Sequence, residues 1–90
     1  MTFVYILQSL VNHRYYIGST NNIERRLNEH NNGSSGYTRL TKPFKLVFKQ
    51  KYETLKEARS IEFKLKKLKS KKIIEKIIAD QKINLSRAVR

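Results

Sequence analysis

Cysteine and tryptophan are absent from these 90 residues, proline occurs once, glycine three times and histidine twice. Without cysteine there is no disulfide framework, no thiolate zinc site and no thiol nucleophile, and the composition fits a reducing compartment. Two histidines are too few for a histidine-rich metal cage. Acidic residues are scarce as well. Seven Asp and Glu stand against 20 Lys and Arg, giving a net charge of +13 and a pI near 10.3. That excess opposes compaction but steers negative ligands strongly, so it implies a polyanionic partner. Long hydrophobic runs are missing too. The stretch from Met1 to Leu7 has no charged leader and is too short for a signal peptide or a membrane span, so the expectation is a cytoplasmic protein. A chain of this length buries only about 60–65% of its unfolded surface. One small core follows, and an active site should be a surface groove.

The residues that are present read as an α+β domain. Phe3 to Leu7 is β-branched and aromatic, and the same character resumes at Tyr15-Tyr16-Ile17-Gly18 after Asn12-His13-Arg14. Two strands joined by a loop of several residues are expected. Period-two geometry puts Phe3, Tyr5 and Leu7 on one face of the first strand and Val4 and Ile6 on the other. In the second strand Tyr16 and Gly18 oppose Tyr15 and Ile17. Asn21 and Glu24 have capping-box spacing, after which Ile23, Arg26, Leu27 and His30 share one helix face. Asn32-Gly33-Ser34-Ser35-Gly36 closes that helix. Beyond Pro43, Phe44, Leu46, Phe48 and Tyr52 alternate with Lys45, Lys49 and Lys51 as a third strand with a lysine face. Thr54 and Glu57 cap a second helix, whose Leu55, Ala58, Ile61, Leu65 and Leu68 form one apolar arc. A basic hinge over 66–72 precedes a short third helix with Ile73, Ile74, Ile77 and Ile78. The expected architecture is a small three-stranded antiparallel β-sheet flanked by helices, in the order β-β-α-β-α-α. It spans residues 1–83, with 84–90 as a basic tail.

Four features bear on chemistry. Tyr5 and Tyr16 lie on adjacent strands, Arg26 and His30 lie on an inward helix face, and Glu62 interrupts the apolar arc between Leu55 and Ala58. A basic surface surrounds them. Each has a plain structural reading. Strand tyrosines are usual core residues with the hydroxyl at the rim. Arg26 can snorkel to solvent, and His30 can be a hydrogen-bonded boundary residue. Glu62 can pair with Lys66 at i+4, a surface bridge worth about 0.3–0.5 kcal/mol. A carboxylate inside an apolar arc is nevertheless costly unless a metal ion or an arginine compensates it. Together, a glutamate, an arginine, a histidine and two phenols on a +13 protein suit attack on a phosphodiester.

The ordered set Phe3-Val4-Tyr5, Tyr16-Ile17-Gly18 through Arg26 to His30, and Glu57 through Glu62 to Lys66 resembles the GIY-YIG nuclease superfamily. It is most similar to the family's small stand-alone bacterial domains, over about residues 3–72. The second half-motif is literal, and the first keeps only its tyrosine. No asparagine follows the second helix within 73–78, and no separate DNA-binding domain is apparent. The resemblance implies a metal-dependent DNA endonuclease, nicking or structure-selective, with one Mg²⁺ or Mn²⁺ held by Glu62. Tyr5 and Tyr16 would lie near the attacking water, Arg26 at the scissile phosphate, and His30 in an assisting position. Arg25, Arg39, Lys66, Lys67 and Lys69 are the cations expected on the nucleic-acid backbone, DNA rather than RNA. The expected state is a monomer or weak dimer. The rival reading is a nucleic-acid-binding module that keeps the fold and does not cut, since the net charge serves both equally.

Overall fold

The N-terminal hairpin forms as its residue pattern dictates. A computed structural model of the protein describes residues 2–32, 41–68 and 70–83. In it, strand β1 (Thr2–Ser9) pairs antiparallel with β2 (Tyr15–Thr20), with Tyr5 opposite Gly18 and Leu7 opposite Tyr16. The loop between them is several residues long, as expected, and is organised by Ser9. The Ser9 Oγ accepts from the Val11 and Asn12 N–H groups at 3.0 and 3.2 Å and donates to the Thr41 carbonyl at 2.6 Å. His13 in this loop takes the left-handed conformation, with φ 62°. Strand β3 (Phe44–Tyr52) adds antiparallel to the other side of β1, so the sheet order is β2-β1-β3 and β1 is central. The three-stranded antiparallel sheet and the β-β-α-β-α-α order are those read from the sequence.

Being central, β1 is buried on both faces. Val4 and Ile6 are fully buried against Phe48, Ala58, Leu65, Ile74 and Ile77, under helices α2 (Leu55–Leu68) and α3 (Lys71–Asp80). On the opposite face Tyr5, Leu7 and Phe44 pack with Tyr16, Leu46, and Ile23 and Leu27 of helix α1 (Ile23–Asn31). Each such aliphatic or aromatic burial stabilises the fold by about 1.5–3 kcal/mol. Among the described residues no helix is long and apolar enough to cross a membrane.

Three local expectations are corrected. The third strand does not keep one apolar face, because its register against β1 shifts between Ile6–Phe48 and Leu7–Leu46. Val47 is the extra residue. It puts Phe44 and Leu46 against α1 but Phe48 and Tyr52 against α2 and α3. The cap of α1 is Asn22 rather than Asn21: its Oδ1 accepts the Arg25 N–H at 3.0 Å, which leaves Glu24 in the first turn without the reciprocal capping-box bond. The basic stretch 66–72 is mostly helical. Lys66 and Lys67 finish α2, and Ser70 caps α3 through the Ile73 N–H, so Lys71 and Lys72 open the next helix. Thr54 does cap α2, accepting the Glu57 N–H at 3.1 Å. Arg39, Lys69 and the tail 84–90 lie outside the described residues.

Candidate active site

The α1 face of the hairpin carries a cluster built around Tyr5. Its phenol lies directly over Gly18, where a Cβ would collide with Oη and stand 2.5 Å from Cζ. Only glycine leaves room, which gives that position of the Tyr16-Ile17-Gly18 motif a steric cause. Arg26 and His30 face the sheet from α1, one turn apart. Arg26 Nε donates to Tyr5 Oη at 3.4 Å, and His30 Nε2 stands 3.5 Å from the same oxygen, at the outer limit of a hydrogen bond. Arg26 Nη1 also donates to Glu29 at 2.9 Å. The Glu29 bond, then Tyr5, raises the Arg26 pKa further above its already high value, so it is a permanent cation. His30 is buried, its ring set edge-on to Tyr5 and Phe44. Burial first, and the Arg26 charge second, push its pKa below the ordinary value of 6.5, with Glu29 partly opposing. At neutral pH His30 is an uncharged imidazole beside a phenol and a guanidinium. That trio can hold a negatively charged oxygen and accept a proton next to it.

Tyr16 shares this face. Its ring meets Phe44 edge-on at 5.0 Å, and its hydroxyl lies 3.3 Å from Thr41 Oγ1. Glu62 approaches from the other face. Ser19, in line with Tyr15 and Ile17 on the α2 side of β2, donates to Glu62 Oε1 at 2.6 Å, and Lys66 Nζ donates to Oε2 at 2.6 Å. The bond to Lys66 is the plain i+4 pairing, and Ser19 adds a second partner. The carboxylate that interrupts the apolar arc is therefore compensated within the chain. The structure thus brings Tyr5, Arg26 and His30 into mutual contact, sets Tyr16 two residues along the strand from Gly18, and holds Glu62 across β2. The strand between them, β2, is an edge strand of the sheet.

No group of three or more His, Asp or Glu residues comes together among the described residues, and Glu62 is the carboxylate expected from the sequence to hold a divalent ion. The donor chemistry suits magnesium or manganese, which bind through one or two carboxylates while keeping several waters. The Lys66 ammonium rests on Oε2. The Glu62 side chain is 20% exposed and that of Lys66 55%, so the lysine can swing away into water.

Of the cations expected on nucleic acid, Arg25 and Lys67 are exposed and Lys66 is the Glu62 partner. Lys66 also lines a groove of about 1070 Å³ between the β1–β2 loop, β2 and the α2–α3 junction. Lys71, from the basic stretch, lines it too, as do Arg14 and Tyr15, which sequence reasoning did not single out for binding. It also missed Glu29, although its i+3 spacing from Arg26 was a usable signal. Ser19 and Thr41 gave none, since their partners are remote in sequence.

The arrangement agrees with what the chain is similar to. The family model of the GIY-YIG catalytic domain matches residues 1–76. The UPF0213 protein YazA of Bacillus subtilis is 33% identical over 88 residues, covering 97% of this chain and 86% of that protein. A UPF0213 protein of Clostridium perfringens is 45% identical over 69 residues, covering 76% of this chain and 73% of that one. The solution NMR structure of a UPF0213 protein from Bacillus halodurans superimposes with a TM-score of 0.56 at 32% identity, covering 88% and 84% of the two chains. The GIY-YIG domain is a nuclease domain whose substrate is nucleic acid, and its nucleases generally depend on a divalent metal ion. Matched by the domain model over residues 1–76 and 33% identical to a relative along 97% of its own length, this chain belongs to the GIY-YIG catalytic domain family.

Proposed function

We propose that the protein is an endonuclease of the cytoplasm that hydrolyses DNA phosphodiester bonds, nicking or structure-selective, with a single Mg²⁺ or Mn²⁺. The observation that carries this reading is the convergence of Arg26 and an uncharged His30 on the Tyr5 hydroxyl. Arg26 holds the scissile phosphate, offsetting charge as it builds on the non-bridging oxygens. Water adds to phosphorus as the bond to the leaving oxygen breaks. Tyr5 and Tyr16 orient that water, and His30 accepts or relays its proton. Glu62 would hold a divalent ion, which would supply Lewis-acid polarisation of the phosphate. Lys66, released from Glu62, would then be free to contact the strand.

Incubation with nicked, flapped, branched and linear DNA, and with RNA, in Mg²⁺, Mn²⁺ or EDTA tests the reading. Wild type should cut in either metal and not in EDTA. Glu62→Gln should lose cleavage by orders of magnitude while binding DNA as well as wild type. The partners of Glu62 also set the sign of its stability effect. Gln still accepts from Ser19 but loses the largely exposed Lys66 ion pair, a loss of about 0.5 kcal/mol. Equal cleavage by Glu62→Gln under matched metal would refute the role of Glu62. The compensated state of that carboxylate favours the second reading, a binding module without catalysis. That reading takes over if wild type cuts no substrate with either ion.

A further inference from the structure

The groove beside β2 has a chemistry that phosphate binding alone does not explain. Its floor is apolar, made by Ile17, Leu65 and Ile74, with Tyr15 as an aromatic wall, while Arg14, Lys66 and Lys71 form its rim. No Asp or Glu lines it among the described residues. Arg14 and Lys71 are exposed, so their charges are available to a ligand, whereas the Lys66 ammonium is paired with Glu62; the half-buried Tyr15 presents part of its ring. A continuous duplex shows its phosphates and groove edges but keeps its base faces stacked inside, so it has nothing to lay on such a floor. An unpaired nucleotide offers both an apolar face and a phosphate. The groove, about 1070 Å³ and open to solvent, has room for a nucleotide.

We infer that this groove receives an unpaired nucleotide of a nucleic-acid strand, its base against Tyr15 and the Ile17–Leu65–Ile74 floor and its phosphates between Arg14 and Lys71. The inference rests on the nucleic-acid reading above and gives it a substrate class: strands with single-stranded nucleotides at a nick, flap or branch. Lys66 ties the two sites together, since the same ammonium that lines the groove also rests on Glu62. A strand leaving the groove at Lys66 passes beside that carboxylate.

The test separates binding from cutting by working in EDTA. Backbone amide spectra of the full chain are recorded during titration with a short oligothymidine, and separately with a blunt duplex of equal charge. The oligothymidine should shift Tyr15, Ile17, Leu65 and Ile74, and the duplex should leave these four largely unmoved. The variant Arg14→Glu/Lys71→Glu is compared with the control Lys45→Glu/Lys51→Glu, which lowers net charge equally at exposed β3 positions. Single-strand affinity should fall about tenfold more in the groove variant than in the control, the scale of one or two lost charge-assisted phosphate contacts. Shifts confined to other surfaces, equal losses in both variants, or no response to either nucleic acid would overturn the inference. Cleavage in Mn²⁺ is scored separately. Groove shifts without cutting by wild type would leave the groove standing and sink the nuclease reading, whereas cutting without groove shifts would do the reverse.

Discussion

Gly18→Ala perturbs the site at its tightest point. Gly18 faces Tyr5 across the β1–β2 ladder and its backbone is one that alanine adopts without strain, so the effect of the substitution is steric. The new methyl would lie 2.5 Å from Tyr5 Cζ and 3.0 Å from Cε2, against an ordinary carbon–carbon separation of about 3.5 Å. The phenol must therefore retreat by about 1 Å, yet it is 4% exposed and wedged against Arg26 and His30. Overpacking of this size costs about 1–3 kcal/mol, a drop in melting temperature of roughly 5–20 °C for a domain this small. A misplacement of about 1 Å at reacting groups lowers cleavage about 100-fold. Thermal melts by circular dichroism and a nicking assay read the two effects. Tyr5→Phe should not rescue Gly18→Ala, because the ring carbon still collides. Tyr5→Leu, which ends short of that carbon, should cost less stability in the Gly18→Ala background than in wild type, and should restore no cleavage. A Gly18→Ala protein that melts within about 2 °C of wild type and cuts normally would refute the steric reasoning.

Other perturbations read neighbouring parts of the structure. His30 is buried uncharged with a lowered pKa, so below about pH 6.5 the unfolded chain binds a proton that the folded chain resists. Stability should be complete above that pH and fall as pH drops towards the folded value. Urea midpoints between pH 8 and 5 should show this slope, and it should flatten in His30→Gln. Glu29→Gln removes the charge partner of Arg26, whose exposure (39% and 38% for the pair) limits the stability change to under about 0.5 kcal/mol. Cleavage should nevertheless drop about tenfold as the guanidinium loses its anchor, which steady-state kinetics would detect. His13→Gly should raise stability by about 0.5–1 kcal/mol in urea melts, because it relieves the left-handed backbone at φ 62°.

The strand faces of Tyr5, Tyr16 and Gly18 were legible in the sequence because a hairpin buried on both sides keeps strict period-two alternation. The face change in β3 was not, because the alternation of Phe44, Leu46 and Phe48 runs on without a glycine or proline to mark Val47 as the extra residue. Asn21 and Asn22 are equally good caps, and the position of Glu24 argued for the wrong one, since spacing alone does not reveal which side chain meets the N–H. The contacts of Arg26 and His30 could be anticipated from their shared helix face. The partners of Glu62 were half legible: Lys66 lies one turn on, but Ser19 comes from a strand 43 positions away in sequence and is met only through the packing of α2 on β2. The groove was hidden for the same reason. Arg14 and Tyr15 meet Lys66 and Lys71 only when the hairpin and the helix junction are folded together.

The central place of β1 also governs when the molecule can first work as it leaves the ribosome. Its pairing with β2 is local, but its pairing with β3 joins Thr2 to Tyr52 and Ser9 to Phe44, contacts whose loop closure comes late in folding. Phe44 walls both His30 and Tyr16, and Asn31 of α1 fastens to the Phe44 backbone through its N–H and carbonyl. A nascent chain that has emerged only as far as α1 carries Tyr5, Arg26 and His30 without the Phe44 wall and the Asn31 anchor that complete their surroundings. Synthesis order thereby withholds the complete cluster until β3 has docked.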